Sequence, residues 1–405
     1  GCVLVYEFKD ITDLSKWVSE NTKKIVENKK FAVKVKRSGS HAFTSLDIAR
    51  EIGSQLRPYA AGVDLENPDV LIELEVRGNN AYLYTNVIKG PGGLPIGTEG
   101  NALVLFSGGF DSPVASWLIA KRGVQVDFLH YVMGSTQSSY YALKVAKELA
   151  LNWLHGYRPK FYVVDFRDIL VEISQKTKWR LRQILLRSLM YMVASRIADT
   201  YNYHAIITGE SIGQASSQTL RNLVAIDKAI KLGKPVLRPL LGFDKEEIIS
   251  ISRKIGLYDI SSKVAETCAL APSRVETAAK PEEILEELGK LDLSLIDKAI
   301  SSLRSLDLLD ANLEDVIPPS DIEVDFIPEN SLIIDMRGVE ERNSNPIEGS
   351  IPLDEIDPNK LPRDKVILLL CETGIRSYIT AKILREKGFK TYSLKGGANK
   401  YCKYK

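Results

Sequence analysis

The sequence predicts a multidomain α/β protein, in which a small α+β domain precedes a doubly wound parallel sheet and a second small α/β domain follows it. Three observations lead to this prediction. Short alternating strands flank one helical segment in residues 31–88. Apolar strands alternate with helix-length segments from residue 101 to residue 208, which is the pattern of a parallel sheet with crossover helices. The same alternation resumes in residues 332–394, beyond Pro318-Pro319.

Length and composition agree with a globular protein of about two to four domains. The chain has 405 residues, 44% of them hydrophobic, with 54 Lys and Arg against 52 Asp and Glu. This composition excludes disordered, collagenous and disulfide-scaffold proteins, and no apolar run approaches the roughly 18 residues of a membrane span. The four scattered cysteines favour a reducing, cytoplasmic compartment. No metal site is predicted, because the Cys and His residues lack zinc-site spacing. The start at Gly1-Cys2, with neither Met nor a signal peptide, is typical of a fragment.

The net charge of +2 is unevenly distributed along the chain. Residues 1–100 are neutral, residues 101–280 carry +9, and residues 281–405 carry −7. A basic middle segment is typical of a domain that binds a polyanion. Chance variation in a solvated surface would explain the charge equally well.

The first domain is predicted from strand alternation and turn residues. Residues 31–37 (Phe-Ala-Val-Lys-Val-Lys-Arg) alternate as a strand, and Ser45 begins a helical stretch that ends at Leu56. Residues 70–76 and 81–88 alternate again around Gly78-Asn79-Asn80, a hairpin signal. Residues 90–97 are rich in Gly and Pro and are predicted to be a linker.

The second and third domains are predicted from strand–helix alternation. The strands expected in the second domain are Ala102–Phe106, Val124–Val132, Lys160–Val164 and Ala205–Thr208, with helices near 113–121, 138–150 and 178–201. Residues 281–313 are Leu/Glu-rich with helical periodicity. In the third domain, strands at 332–335, 366–370 and 391–394 surround a helix near 376–387.

The strongest local signal for chemistry is Ser107-Gly108-Gly109-Phe110-Asp111-Ser112, which lies between an apolar strand and a helix. Glycines let the backbone wrap an oxyanion, and the helix N-terminus offers free N–H groups and a positive dipole end. Two serine hydroxyls add donors, and Asp111 could hold Mg²⁺ or orient phosphates. The loop lacks the Gly-Lys-Ser/Thr ending of a Walker A motif.

A second signal is Cys371, which follows an apolar strand and precedes Glu-Thr-Gly-Ile-Arg376-Ser377 at the start of a helix. Backbone N–H groups around such a cysteine favour the thiolate, which is a sulfur nucleophile, and we expect Arg376 to reinforce the effect.

Three sequence blocks in order resemble the tRNA uridine 4-sulfurtransferase family. They are residues 89–115, residues 208–220 (Thr-Gly-Glu-Ser-Ile-Gly-Gln through Leu) and residues 238–245 (Arg-Pro-Leu-Leu-Gly-Phe-Asp-Lys). The Cys371 segment resembles the rhodanese active-site loop. The resemblance implies five parts: residues 1–30 as the remnant of an N-terminal ferredoxin-like subdomain, 31–90 as a THUMP RNA-binding domain, 91–280 as a PP-loop adenylating domain, 281–325 as a helical connector and 326–405 as a rhodanese-like sulfur carrier.

The resemblance also implies a set of site residues. The ATP contacts that it implies are Leu105, Phe106, Ser107, Gly108, Gly109, Ser112, His130, Tyr131, Arg187, Gly209 and Gln218, with Asp111 and Lys245 as catalytic residues. Lys34, Lys36 and Arg37 become candidates for phosphate contacts with tRNA. Taken singly, several of these have plainer interpretations. His130 could be a core histidine, Arg187 could belong to a solvated helix face or contact RNA, and alternating lysines often mark a solvated strand.

The implied reaction is ATP-dependent conversion of a tRNA uridine, at position eight, to 4-thiouridine. A cysteine desulfurase would load Cys371 as a persulfide, and Cys268 would form a disulfide with Cys371, which an external reductant resets. The order of sulfide release and direct persulfide attack stays open. The family also implies sulfur supply for the thiamin thiazole and a possible homodimer, with no membrane partner.

The same motifs are compatible with two other function classes. A small-molecule adenylating ligase or amidase could use the same ATP loop, although the basic strand speaks against it. A non-catalytic tRNA-binding protein with relic domains is the second alternative, and the presence of Asp111, Lys245, Cys268 and Cys371 argues against it.

Overall fold

The computed structural model describes residues 3–84, 90–134, 136–264, 276–318, 320–357 and 360–398. The chain divides into two compact units, Gly1–Gly92 and Gly93–Lys405. Within the described ranges, no helix combines the length and the apolar character needed to cross a bilayer.

The first unit is a five-stranded sheet covered by two helices. Its elements are β1 (Leu4–Glu7), α1 (Ile11–Val26), β2 (Lys30–Ser38), α2 (Ser45–Leu56), β3 (Gly62–Val63), β4 (Val70–Arg77) and β5 (Asn80–Tyr84). The strand order is β1-β5-β4-β2-β3. Helix α2 begins where the Thr44 side chain accepts from the Asp47 N–H and the Asp47 carboxylate accepts from the Thr44 N–H, a capping box that satisfies two otherwise unpaired donors.

The expected domain boundary at residue 30 is wrong. Strand β1 pairs antiparallel with β5, and Leu14 and Val18 of α1 lie in the same buried core as Phe31 and Ile72. Residues 4–26 are therefore integral to the sheet domain, because the apolar face of α1 packs against the core of this sheet. The predicted hairpin is present as β4 and β5.

The second unit contains a six-stranded sheet with helices on both faces. Its elements are β6 (Asn101–Leu105), α3 (Asp111–Ala120), β7 (Gln125–Val132), α4 (Thr136–Trp153), β8 (Lys160–Asp165), α5 (Arg167–Lys176), α6 (Arg182–Thr200), β9 (Ala205–Ile207), α7 (Leu220–Ala229), β10 (Val236–Leu237), α8 (Lys245–Lys254), α9 (Tyr258–Ser261), α10 (Pro281–Leu288), α11 (Ser294–Ser301), β11 (Arg304–Asp307) and α12 (Leu313–Val316).

The strand order places a ligand crevice at the centre of this sheet. The order is β10-β9-β6-β7-β8-β11, and every neighbouring pair except β8–β11 is parallel. The chain runs from β6 outward through β7 to β8 and then returns to place β9 on the other side of β6. The carboxyl ends of β6 and β9 therefore flank the topological switch point, where open parallel sheets bind ligands.

The segment expected to be a helical connector belongs to this domain instead. Strand β11 adds antiparallel to β8, Ile284 and Ile296 lie in the buried core on one face of the sheet, and Leu308 and Val316 lie in the core on the other face. A Leu/Glu-rich pattern predicts helices, but it does not reveal that a four-residue strand between them completes a sheet edge.

The third sheet is also part of the second unit. Its elements are β12 (Glu323–Val324), β13 (Leu332–Asp335), α13 (Val339–Ser344), β14 (Ser350–Pro352), β15 (Ile367–Leu370), α14 (Ile375–Glu386) and β16 (Thr391–Leu394). All neighbouring strands are parallel in the order β12-β16-β15-β13-β14. The four residues of β15 are buried, so the cysteine that follows it starts from a rigid position.

Candidate functional site: a nucleotide loop and a cradled cysteine

The loop after β6 is shaped by its serines and glycines. The Ser112 hydroxyl accepts from the N–H groups of Ser107 and Gly108 at 3.2 and 3.3 Å. Gly108 has a φ of +82°, and a Cβ there would lie 2.6 Å from the Cα of Ala142. Only glycine satisfies both the left-handed backbone and the lack of space. The loop ends at Asp111, the first residue of α3, so an anion held by the loop would face the helix N-terminus.

The loop after β9 packs directly against this loop. A Cβ on Gly209 would lie 2.8 Å from both the carbonyl carbon of Asp111 and the nitrogen of Ser112, which is below any normal contact. Gly209 therefore permits the two loops at the switch point to touch through their backbones. The predicted site residues of β6 and β9 are brought together at this point.

Asp111 is held between two side chains from different elements. One carboxylate oxygen lies 3.2 Å from the Lys245 ammonium, and the other accepts from the Gln214 amide at 2.8 Å. Lys245 begins α8 behind Asp244, whose carboxylate caps the helix through the Glu247 N–H. The Lys245 ammonium also lies 5.4 Å from the centre of the Phe110 ring. A cation and a carboxylate thus meet at the loop, as the family resemblance implies.

The carboxyl ends of β6 and β7 form the buried wall beside the loop. His130 Nδ1 lies 3.0 Å from the Phe106 carbonyl oxygen, and its Nε2 lies 2.9 Å from the Ser139 hydroxyl. Burial lowers the pKa of His130 to about 4, so the ring is neutral near pH 7. The Tyr131 hydroxyl donates to the Met190 carbonyl. Phe106, His130 and Tyr131 are buried, whereas Leu105 is partly exposed.

Arg187 is bound in a buried ion network that the sequence did not reveal. Its guanidinium pairs with the Glu210 carboxylate and donates to the Ser217 hydroxyl at 3.3 Å. Glu210 also accepts from Arg238 at 2.7 Å, from Thr208 at 3.1 Å and from the Tyr191 hydroxyl. Burial opposes ionisation of Glu210, but the charge of Arg187 and the further donors hold its pKa below the usual value.

Glu210 therefore connects the β9 loop to α6 and to the segment after β10. Glu210 lies within the sequence block Thr208-Gly209-Glu210-Ser211. Of these four residues, the family resemblance implies an ATP contact only for Gly209. Gln218, another predicted nucleotide contact, accepts from the Ser211 N–H at 3.1 Å. In this state both residues shape the loop around the crevice.

Cys371 lies in a pocket of hydrogen-bond donors after β15. Its sulfur is 3.2 Å from the Gly374 N–H, 3.5 Å from the Ser377 N–H and 3.4 Å from the Ser377 hydroxyl. Gly374 has a φ of +90°, and Gly397 packs so closely that a Cβ on it would lie 2.3 Å from the Cys371 carbonyl oxygen. These contacts hold the sulfur in a fixed position at the start of α14. Cys371 is 1% exposed.

The reinforcement of this site that we expect from Arg376 stays a prediction. The nearest acidic partner of Arg376 is Glu341, at 4.0 Å, and the guanidinium is half-exposed. The buried arginine near the loop is instead Arg337, which pairs with Asp335 at 2.8 Å at the end of β13 and lies 4.0 Å from Glu372. Cys268, the predicted partner of Cys371, lies outside the described residues.

The predicted RNA-contact strand has a more balanced charge than its sequence indicates. Lys34 and Lys36 point to the open face of β2 and are exposed, but their register partners on β4 are Glu73 and Glu75, and Lys34 lies 3.5 Å from Glu73. Arg37 points to the opposite face, because side chains alternate along a strand. It donates to the Gly39 carbonyl and contacts His41 at 2.9 Å.

No ready-made metal cage accompanies the loop: across the described ranges, no three Cys, His, Asp or Glu side chains come together as a metal-binding group. Residues 107–112 contain one acidic residue, Asp111. The side chain of Asp111 is 24% exposed. A single carboxylate combined with phosphate oxygens is a common ligand set for Mg²⁺. The loop therefore fits a cation that arrives with a nucleotide rather than one held by protein alone.

Comparisons with known proteins agree with this architecture. The profile "Thiamine biosynthesis protein (ThiI)" matches residues 97–293, the THUMP domain profile matches residues 8–86, and the rhodanese-like domain profile matches residues 321–404. The THUMP match also begins well before residue 31, in line with the sheet described above.

Curated relatives cover almost the whole chain. The tRNA sulfurtransferase of Desulfurococcus amylolyticus is 54% identical over 399 residues, which are 98% of this chain and 83% of that protein. The tRNA sulfurtransferase of Pyrobaculum aerophilum is 38% identical over 98% of this chain and 82% of that protein.

One solved structure extends the agreement to the fold. A 4-thiouridine synthetase–RNA complex with bound ATP is 29% identical, has a TM-score of 0.63 and covers 76% of this chain and 81% of that chain. The predicted fold class and the predicted family are confirmed. Its sequence, its three sheets and these relatives place the chain in the tRNA sulfurtransferase family.

Proposed function

We propose that this tRNA sulfurtransferase uses ATP to adenylate O4 of a uridine at position eight of tRNA and replaces that oxygen with sulfur carried by Cys371. The observation that carries the proposal is the occurrence, in one compact unit, of a phosphate-type loop that meets Lys245 and a cysteine whose sulfur accepts from two backbone N–H groups. The ATP and RNA bound in the related 4-thiouridine synthetase complex support the same substrates.

ATP would lie at the switch point, with its phosphates against residues 107–112. The N-terminus of α3 and the loop N–H groups would stabilise the phosphate charge. Lys245, 3.2 Å from Asp111 before ATP binds, would turn to the phosphates and stabilise the charge that grows as pyrophosphate leaves. Gly209 and the Arg187–Glu210 network would keep the β9 loop in place. Mg²⁺ bound through Asp111 would supply Lewis-acid neutralisation of the phosphates.

The proposed reaction has two stages, adenylation of the uridine and transfer of sulfur to C4. The uridine O4 attacks the α-phosphorus, and the α–β bond breaks to release pyrophosphate. In one route, the terminal sulfur of the Cys371 persulfide attacks C4, the C4–O4 bond breaks and AMP leaves. The Cys268 thiolate then attacks the Cys371 sulfur, forming a Cys268–Cys371 disulfide and freeing the thiouridine. In the other route, Cys268 attacks first and releases sulfide, which attacks C4. Both routes end in one disulfide and need two electrons from an external reductant.

The proposed partners follow from these steps. A cysteine desulfurase supplies the persulfide sulfur and a cellular dithiol reduces the disulfide, which fits a cytoplasmic enzyme. Lys34 and Lys36 are the proposed tRNA phosphate contacts of the first unit. Sulfur supply for a thiamin thiazole, which the family resemblance implies, is a second proposed use of the Cys371 domain, and a homodimer is proposed by analogy with the family.

The testing experiment incubates the protein with ATP, Mg²⁺, cysteine, a cysteine desulfurase and unmodified tRNA, and measures 4-thiouridine after nuclease digestion. The proposal predicts 4-thiouridine that requires ATP and is abolished by Cys371→Ser. The control is Cys402→Ser, at a cysteine that matches no motif in the sequence, and it should leave the yield unchanged. Absence of 4-thiouridine with intact protein, or an undiminished yield with Cys371→Ser, would contradict it. Binding of tRNA without ATP turnover would favour a non-catalytic tRNA-binding protein, and ATP turnover stimulated by a small acid would favour a ligase.

A further inference from the structure

The cysteine-bearing domain is packed against one side of the six-stranded sheet domain. Ile375 and Ile379 of α14 are buried in the same core as Ile169 and Ile173 of α5. At the edges of this contact, Lys382 pairs with Asp168, while the Gln175 amide donates to Glu386 at 3.0 Å. The helix that begins at the Cys371 loop therefore forms a defined apolar and polar interface with α5, immediately after β8.

Arg167 is the polar centre of this interface. Its side chain is 3% exposed and pairs with Asp165 of its own domain at 2.7 Å and with Glu323 of the cysteine-bearing domain at 2.9 Å. The guanidinium also lies 4.9 Å from the centre of the Tyr378 ring on α14. A planar guanidinium can bind a carboxylate and stack on an aromatic ring at once. One side chain thus contacts both β12 and α14 of the other domain.

This interface brings the Cys371 loop to the carboxyl edge of the large sheet. A Cβ on Gly134, two residues beyond β7, would lie 3.3 Å from the Cα of Ile375, and the Cys371 sulfur is 3.2 Å from the Gly374 nitrogen. Backbone geometry then limits the distance from that sulfur to the Gly134 Cα to roughly 13 Å. Strand β7 is the direct neighbour of β6, and adjacent strands are about 4.8 Å apart. The cysteine loop therefore lies at the carboxyl edge of the large sheet, beyond the end of the strand that adjoins β6.

The docked arrangement also has a cost. In the part of the chain that the structure describes, Glu323 Oε1 and one terminal nitrogen of Arg304 are buried without a hydrogen-bond partner. Burial raises the pKa of Glu323. Unpaired buried polar groups are unfavourable, and separation of the domains would hydrate them. Hydration of Glu323 would therefore favour separation of the domains, whereas the Arg167 contacts favour the docked form.

We infer that Arg167 is a positioning residue for sulfur transfer, which docks the sulfur-carrying domain on the carboxyl edge of the adenylating sheet through Glu323 and Tyr378. The inference rests on the proposed function of Cys371 as the sulfur carrier. In the docked form, Ile375, which follows the Gly374 N–H that binds the Cys371 sulfur, packs against Gly134. Undocking would uncover this side of the Cys371 loop, and delivery to the activated uridine uses the docked form.

The test compares Arg167→Gln and Glu323→Gln with Arg158→Gln in the full-length protein. Arg158 pairs with Asp307 and Asp310 within the sheet domain and serves as a matched control at an exposed position. Glu323→Gln leaves the Arg167–Asp165 pair intact, so it remains informative if Arg167→Gln folds poorly. Two quantities are measured: the rate at which iodoacetamide alkylates Cys371, and single-turnover 4-thiouridine formation from protein already loaded as the persulfide.

We expect both interface variants to alkylate about tenfold faster and to transfer sulfur about tenfold more slowly, with ATP affinity unchanged. The double variant should resemble Arg167→Gln alone, because Arg167→Gln already removes the ion pair with Glu323. Equal alkylation and equal transfer in wild type, Arg158→Gln and both interface variants would overturn the inference. Alkylation reports docking even without thiolation, so a failure of the proposed function would be recognised separately as a wild-type protein that makes no 4-thiouridine.

Discussion

Replacement of Gly209 by alanine tests whether close contact of two loops builds the ATP site. The added Cβ would lie 2.8 Å from two backbone atoms of Asp111 and Ser112, so one loop must move by about 0.6 Å to reach ordinary van der Waals separation. Displacement of a positioned group by about 1 Å can lower a reaction rate by about 10²-fold. We therefore expect Gly209→Ala to weaken ATP binding and to slow thiolation by about 10- to 100-fold.

The matched control is Gly242→Ala. Like Gly209, Gly242 does not have a left-handed backbone conformation, but a Cβ added to Gly242 would have no atom within 4 Å. ATP affinity is measured by titration calorimetry and thiolation by a 4-thiouridine assay, with thermal unfolding as the check on folding. Gly242→Ala should behave as wild type in all three measurements. If Gly209→Ala binds ATP and thiolates tRNA as Gly242→Ala does, the two loops do not need their backbone contact and the reasoning is refuted.

Three further predictions concern the charges of the site. Lys245→Ala should lower the rate of tRNA adenylation by about 10²- to 10³-fold with a smaller effect on ATP affinity. The control is Lys254→Ala, on the last turn of the same helix, which should leave the rate unchanged. Equal adenylation rates for the two variants in a quench-flow assay would argue against a catalytic Lys245. Burial holds the pKa of His130 at about 4, so the unfolded chain binds this proton from pH 6.5 downward and the folded chain does not. Wild type should lose about 3 kcal/mol more stability than His130→Asn between pH 7 and pH 4 in urea unfolding, and parallel curves would contradict the neutral, buried ring. Lys36→Gln should reduce the salt dependence of tRNA binding by about one ion and Lys34→Gln by less, since Lys34 already faces Glu73; an unchanged slope for both would exclude this strand as a phosphate contact.

The order of strand, loop and helix carried most of what could be predicted about the ATP site. The loop at 107–112 and Cys371 were expected at helix starts, because each follows an apolar strand and precedes a helical segment. Gly209 entered only through the family resemblance, and it lies against the loop because parallel strands all end at one edge of their sheet. These features are local in sequence, and the structure differs from them by only a residue or two.

The pairings between distant charges could not be predicted. Glu210 binds Arg187 and Arg238, which are 23 and 28 residues away, and Arg167 contacts Glu323 across 156 residues. No periodicity reports such a contact, because each partner alone reads as a surface charge. Arg376 lies close to Cys371 in sequence, which suggests an electrostatic role. Its guanidinium lies 4.0 Å from Glu341, and its role at Cys371 stays a prediction.

The most direct test of the central claim follows one sulfur atom through a single turnover. Protein carrying a ³⁵S-labelled persulfide on Cys371 is freed of donor and mixed with unmodified tRNA, with and without ATP. The account predicts that, with ATP, the label moves from protein to 4-thiouridine while AMP and pyrophosphate form, and that without ATP it stays on the protein. Transfer to tRNA without ATP, or retention of all label on Cys371 while AMP forms, would contradict the claim that the two sites act on one uridine.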